Sequence, residues 1–157
     1  MEIREFESPF PHILINEIFD QEEWKQITFE LEWLKHGGVF ADASYSGSAK
    51  NIQTGELLAR KSGLFLEKFY ADSIISPTST TVNKKIIEIF ENSNNWYFKI
   101  PTFTDLNIES LVSYYEESGY YHPHVDESIY TFIFWYHSEP KQFSGGELIF
   151  PEYDIKL

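Results

Sequence analysis

The sequence contains no cysteine. Neither a disulfide framework nor a thiolate metal site is therefore open to it, and any metal has to be held by His, Asp or Glu. Positive charge is scarce as well. Twelve Lys and Arg stand against twenty-five Asp and Glu, giving a formal net charge of −13, and no basic cluster exceeds Lys84-Lys85. A chain of this kind lacks the surface that neutralises phosphates, which argues against direct nucleic-acid binding. No apolar stretch approaches the roughly eighteen residues of a membrane span. The start, Met1-Glu2-Ile3-Arg4-Glu5, has no basic region followed by an apolar run. The expectation is a soluble, cytoplasmic protein without membrane contact.

What the chain has in quantity is aromatic. Phe, Trp and Tyr make up 18% of 157 residues, with fourteen Phe and ten Tyr against a single Met, a composition that favours β-rich packing and excludes a disordered chain. The length suits one domain with its own core. Helical features come early. Asp20 and Glu23 are spaced as a capping box, Trp24, Ile27, Leu31 and Leu34 recur at helical spacing, and Gly37-Gly38 offers a stop, which predicts a helix over Asp20–Lys35. Val82, Ile86, Ile87, Ile89 and Phe90 predict a second over Thr80–Glu91. Both should cover one face of a sheet, burying Ile27, Leu31, Ile86 and Phe90. Between them, Val39 to Thr54 is small and polar and reads as a long surface loop, suited to covering a site or to plain spacing. Leu57 to Tyr70 reads as a strand followed by a turn or short helix, and His12-Ile13-Leu14-Ile15 as a short β-like run. Trp96–Ile100 reads as a strand and Pro101 to Asn107 as a connector. Helices and loops come first and strands afterwards, as in an α+β chain.

The later strands are expected at Leu111–Tyr115, Tyr120–His124, Ile129–Tyr136 and Glu147–Phe150. Among them lies His124-Val125-Asp126. Side chains two apart on an extended chain project to one side, so an imidazole and a carboxylate should face one cavity, and that donor pair suits a divalent iron. His12, His36, His122 and His137 have no partner at ligand spacing. Glu116-Glu117 reads as a solvated loop face.

The order of residues around this triplet is Tyr115, Tyr121-His122-Pro123-His124-Val125-Asp126, Thr131, and Gly145-Gly146-Glu147 with Phe150-Pro151. It resembles the 2-oxoglutarate/Fe(II)-dependent oxygenases of the prolyl 4-hydroxylase-like group. The family often has glycine three residues after the tyrosine, where this chain has Ser118 followed by Gly119. The resemblance implies a double-stranded β-helix, or jelly roll, over residues 108–157, with residues 1–107 as a helical and loop support. It implies Fe(II) ligated by His124 and Asp126, with 2-oxoglutarate and O2 as cosubstrates and ascorbate as an accessory reductant. Tyr115 is the candidate hydrogen-bond partner of 2-oxoglutarate, with Tyr114 in its place if the strand register differs by one. Tyr121 either lines the pocket or packs in the core. Related halogenases carry a small residue at the position of Asp126; the retained carboxylate implies hydroxylation, of a peptide residue such as proline or of a small molecule. The family's second histidine, roughly fifty residues after the acid, and a Lys or Arg about ten further on have no counterpart in the thirty-one residues after Asp126. The expected jelly roll thus lacks its last strands, and weak cofactor binding with little turnover follows. The alternative is a non-catalytic binding or scaffold module keeping half of the metal site.

Overall fold

The computed structural model describes residues 2–43, 50–51, 53–96, 108–126, 128–137, 141 and 143–157. It is a mixed α+β chain of few helices and several small antiparallel sheets. The hairpin of β1 (Glu2–Phe6) and β2 (His12–Asn16) pairs Glu2 with Asn16 through to Phe6 with His12. The β-like run at His12 is thus a strand. Its partner, mostly polar, is held by the ladder rather than by an apolar face of its own.

Helix α1 (Gln21–His36) starts at the anticipated box. The Asp20 carboxylate accepts the Glu23 N–H at 2.8 Å, and the Glu23 carboxylate accepts the Asp20 N–H at 2.9 Å. Two N–H groups left free by the first turn are thereby satisfied. At the far end Gly38 takes the left-handed conformation, φ +65. The short strands β3 (Ala41–Asp42), β4 (Ala59–Arg60) and β5 (Ser62–Phe65) follow, with the one-turn helix α2 (Leu66–Phe69) directly after β5. This is the strand and short helix expected between Leu57 and Tyr70. Helix α3 (Pro77–Asn92) begins three residues earlier than its apolar spacing indicates, because Ser76 caps it and Pro77 suits the first turn. Of the four residues expected to be buried, Ile27, Ile86 and Phe90 are; Leu31 is only partly covered, and Leu34 is fully enclosed instead.

Helices α1 and α3 are joined by a buried carboxylate. Glu30 of α1 accepts the Thr78 N–H at 2.8 Å and the Ser76 hydroxyl at 3.2 Å, placing a negative group at the positive end of α3. Lys85 pairs with Glu23 at 3.1 Å on the same interface.

Strand β6 (Leu111–Tyr114) pairs antiparallel with β5, and β5 with β3, in one three-stranded sheet. Strand β7 (Tyr120–Tyr121) pairs with β4, and β8 (Ile149–Phe150) with β9 (Ile155–Lys156). The strands expected over Tyr120–His124 and Glu147–Phe150 are therefore shorter than their composition indicates. The strand expected over Ile129–Tyr136 is corrected: among the described residues its backbone joins no ladder. Its side chains nonetheless alternate in what they meet. Tyr130 and Phe132 pack on Phe90 of α3, Phe134 on Phe19, and Tyr136 on Trp24 of α1. Thr131 instead bonds Asp126, and Trp135 bonds the Gly146 carbonyl. An extended backbone turns alternate side chains to one side, whereas a ladder also needs a neighbouring backbone.

Residues 44–49 of the expected loop, 97–100 of the expected strand and the connector 101–107 lie outside the described residues. Among the described residues, no helix is long and apolar enough to cross a membrane.

Candidate metal centre

His124 and Asp126 converge. The Nε2 of His124 stands 3.3 Å from Oδ1 of Asp126, and the two side chains keep 31% and 43% of their surface exposed, so a ligand can reach them. Both follow β7 on a short unpaired stretch anchored by the His122 N–H, which donates to the Leu58 carbonyl at 2.8 Å. The spacing expected of an extended His-x-Asp is what brings them together.

Each group is oriented by a second contact. His124 Nδ1 lies 2.9 Å from the His122 carbonyl oxygen. A carbonyl only accepts, so Nδ1 carries the proton and Nε2 is turned toward the carboxylate. Thr131 donates its hydroxyl to Oδ2 of Asp126 at 2.8 Å, leaving Oδ1 for the shared position. A neutral imidazole with its lone pair aimed at a carboxylate oxygen is repulsive; the arrangement is favourable with a proton or a metal ion between the two atoms. Ligand atoms at roughly 2.1 Å from one ion, on adjacent corners of its coordination shell, are about 3 Å apart. The observed pair fits two such corners, with outer hydrogen bonds of the kind that orient metal ligands. Among the described residues no group of three His, Cys, Asp or Glu gathers as a metal cage.

Around this pair the wall is aromatic. The Tyr121 ring stacks on the His124 ring, with centroids 3.8 Å apart and planes 12° from parallel. Burial raises the Tyr121 hydroxyl above the ordinary phenol pKa, with the Asp126 charge adding to it. Tyr115 stands just past the end of β6 and is likewise raised, chiefly by burial. Tyr114 points the other way, toward Phe40 and the Lys35 ammonium. Of the two tyrosines weighed as site residues, Tyr115 is thus the one on the side of Tyr121.

Composition did not point to Lys61, between β4 and β5. Its ammonium donates to the Ser113 hydroxyl at 2.8 Å and lies 4.4 Å from the Tyr121 ring centroid and 5.9 Å from that of Tyr115. Sixty-odd residues separate it from the triplet, and only the pairing of β4 with β7 and β5 with β6 brings it there. Gly145 and Gly146 both take positive φ, +91 and +83, forming a turn that suits glycine. Glu147 pairs with Lys156 at 2.9 Å across the last hairpin and takes no part in the pair at His124.

No family model, curated protein or solved structure matches this chain.

Proposed function

We propose that the chain is a 2-oxoglutarate/Fe(II)-dependent dioxygenase domain that hydroxylates a peptide residue or a small molecule, with His124 and Asp126 as iron ligands. The observation that carries this reading is the pair itself: two unlike donors 3.3 Å apart, each held by its own second hydrogen bond. The reading includes a double-stranded β-helix. It is supported by the ribbon from Tyr130 to Tyr136, whose Tyr130, Phe132 and Tyr136 meet the helices while Thr131 meets Asp126.

When bound, iron with 2-oxoglutarate and O2 supplies an oxidative decarboxylation, to succinate and CO2, coupled to hydroxylation of a substrate C–H bond. The chain's own contributions are positional. His122 fixes the tautomer of His124 through its carbonyl, and Thr131 holds one oxygen of Asp126 so that the other is presented singly. The stacked Tyr121 ring restrains the His124 imidazole and shields one of its faces from water. Tyr115 offers a protonated hydroxyl on the same side.

Two converging donors rather than three also suit a binding module that holds a ligand without turnover. Succinate release separates the readings. With Fe(II) in excess and ascorbate present, the chain should convert 2-oxoglutarate at a low rate, and His124→Ala or Asp126→Ala should abolish it. A rate equal in all three proteins would remove the dioxygenase reading.

A further inference from the structure

The His122 carbonyl accepts the Nδ1–H of His124 at 2.9 Å and sets its tautomer, but one hydrogen bond leaves the ring free to tilt. The tilt is limited by the Tyr121 ring, whose plane lies 12° from that of the imidazole with the centroids 3.8 Å apart. Carbon atoms in contact stand roughly 3.5–4.0 Å apart, so the two rings overlap almost face to face. That arrangement is disfavoured for an aromatic pair, because both faces are electron-rich. Compensation comes from the other side of Tyr121. An imidazole at stacking distance fills one face of the ring, so the Lys61 ammonium, 4.4 Å from the same centroid, stands over the opposite face. There it draws electron density away from the imidazole side and relieves the repulsion between the rings. Lys61 is itself held in place. Its ammonium donates to the Ser113 hydroxyl at 2.8 Å, and its carbonyl accepts the Ala43 N–H at 2.9 Å. It stands between Ala59, which pairs with Tyr121, and Ser62, which pairs with Tyr114. Burial lowers its pKa, with the Asp126 charge opposing, so a charge is kept here against a desolvation cost that an apolar side chain of similar length would not incur.

We propose that Lys61 is a positioning residue for His124, acting through the Tyr121 ring clamped between them. Its charge on one face of that ring steadies the stack on the other, and with it the direction in which His124 Nε2 points. This role deepens the dioxygenase reading and rests on it for the metal, whereas the coupling of Lys61 to the imidazole belongs to the metal-free chain.

Two measurements on the full chain separate this role from the metal reading beneath it. In the first, the ring protons of His124 are followed by NMR in metal-free protein at neutral pH. Stacking on Tyr121 should shift them upfield in the wild type; Tyr121→Leu should abolish that shift, Lys61→Met should lose part of it, and Lys61→Arg, which keeps the charge, should retain it. Should Lys61→Met not fold, Ser113→Ala, which frees the ammonium, takes its place and should show a smaller loss in the same direction. In the second, Mn(II) affinity is compared across the same variants. Lys61→Met should weaken it about two- to thirtyfold, Lys61→Arg should restore most of it, and Lys61→Met should add no further loss when Tyr121 is already Leu. A His124 shift unchanged in Lys61→Met, or lost equally in Lys61→Arg, overturns the proposal, as does a Lys61→Met effect of full size in the Tyr121→Leu background. Absence of Mn(II) binding in the wild type, with the pattern of ring shifts as expected, overturns the metal reading and leaves the clamp standing.

Discussion

Thr131 donates its hydroxyl to one oxygen of Asp126 at 2.8 Å, and the other oxygen of that carboxylate is the one facing His124. A single bond from the extended ribbon thus decides how the acidic group is presented. Removing it in Thr131→Val should leave the fold intact and lower metal affinity about ten- to a hundredfold, while Thr131→Ser keeps the hydroxyl and most of the affinity. Metal titration of the two variants checks this. Equal affinity in Thr131→Val and wild type would mean that Asp126 is oriented by something else.

The loop between β6 and β7 contains two adjacent residues with opposite requirements. Ser118 has φ +63, a conformation that costs a side-chain-bearing residue energy, and it stands where the resembled family often has glycine. Ser118→Gly should raise stability by up to about 1 kcal/mol, since relief of strain is partly offset by the freer unfolded chain. Gly119 is held by space rather than by φ. A Cβ there would lie 2.9 Å from the Glu116 carbonyl oxygen and 3.1 Å from that of Arg60, both backbone atoms. Gly119→Ala should cost about 1–3 kcal/mol and displace Tyr115 from Lys61. Urea denaturation of both variants gives the two signs; the same sign for both would contradict the argument.

Phe90 is 3% exposed and is the ring on which both Tyr130 and Phe132 pack. Phe90→Ala should cost about 3–5 kcal/mol. Phe29, on α1 and 75% exposed, should tolerate the same change within about 0.5 kcal/mol. The contrast, read from denaturation midpoints, tests whether the helices hold the ribbon through its even-numbered side chains.

Tyr70 has its pKa pushed well above the ordinary phenol value of 10.0, first by burial and then by the neighbouring Glu30 carboxylate. A raised folded pKa means that the native chain holds this proton after the unfolded chain has released it. The resulting stability is complete below pH 10 and is lost as pH rises beyond it toward the folded value. Stability should therefore fall between pH 10 and 12, and Tyr70→Phe should flatten that fall. Urea midpoints measured across this range check it; an equally steep fall in the variant would assign the effect to other groups.

Local rules read from the sequence hold well at particular places. Asp20 and Glu23 form the box their spacing announces, and His124 and Asp126 face one another as residues two apart on an extended chain should. Both depend on neighbours in sequence. The ribbon from Tyr130 to Tyr136 shows the limit. Its strand-like aromatic composition was legible, but whether a backbone lies beside it depends on distant chain. Lys61 was not legible at all, because a lone lysine between two short strands carries no periodic or motif signal. Its place beside Tyr121 arises from the pairings of β4 with β7 and β5 with β6, whose partners lie far apart in the chain, as Ala59 with Tyr121 and Ser62 with Tyr114. Ser118 was visible as a departure from the family pattern, while the left-handed backbone it adopts required coordinates.

The central claim, that His124 and Asp126 share a metal ion, is tested most directly by titrating Mn(II) into the metal-stripped chain and following the free ion by electron paramagnetic resonance. One saturable site should be present in the wild type, weakened strongly in Asp126→Ala and His124→Ala and unaltered in His36→Ala, whose imidazole lies on α1 away from the pair. Identical binding curves for the wild type and the Asp126→Ala and His124→Ala variants would contradict the account.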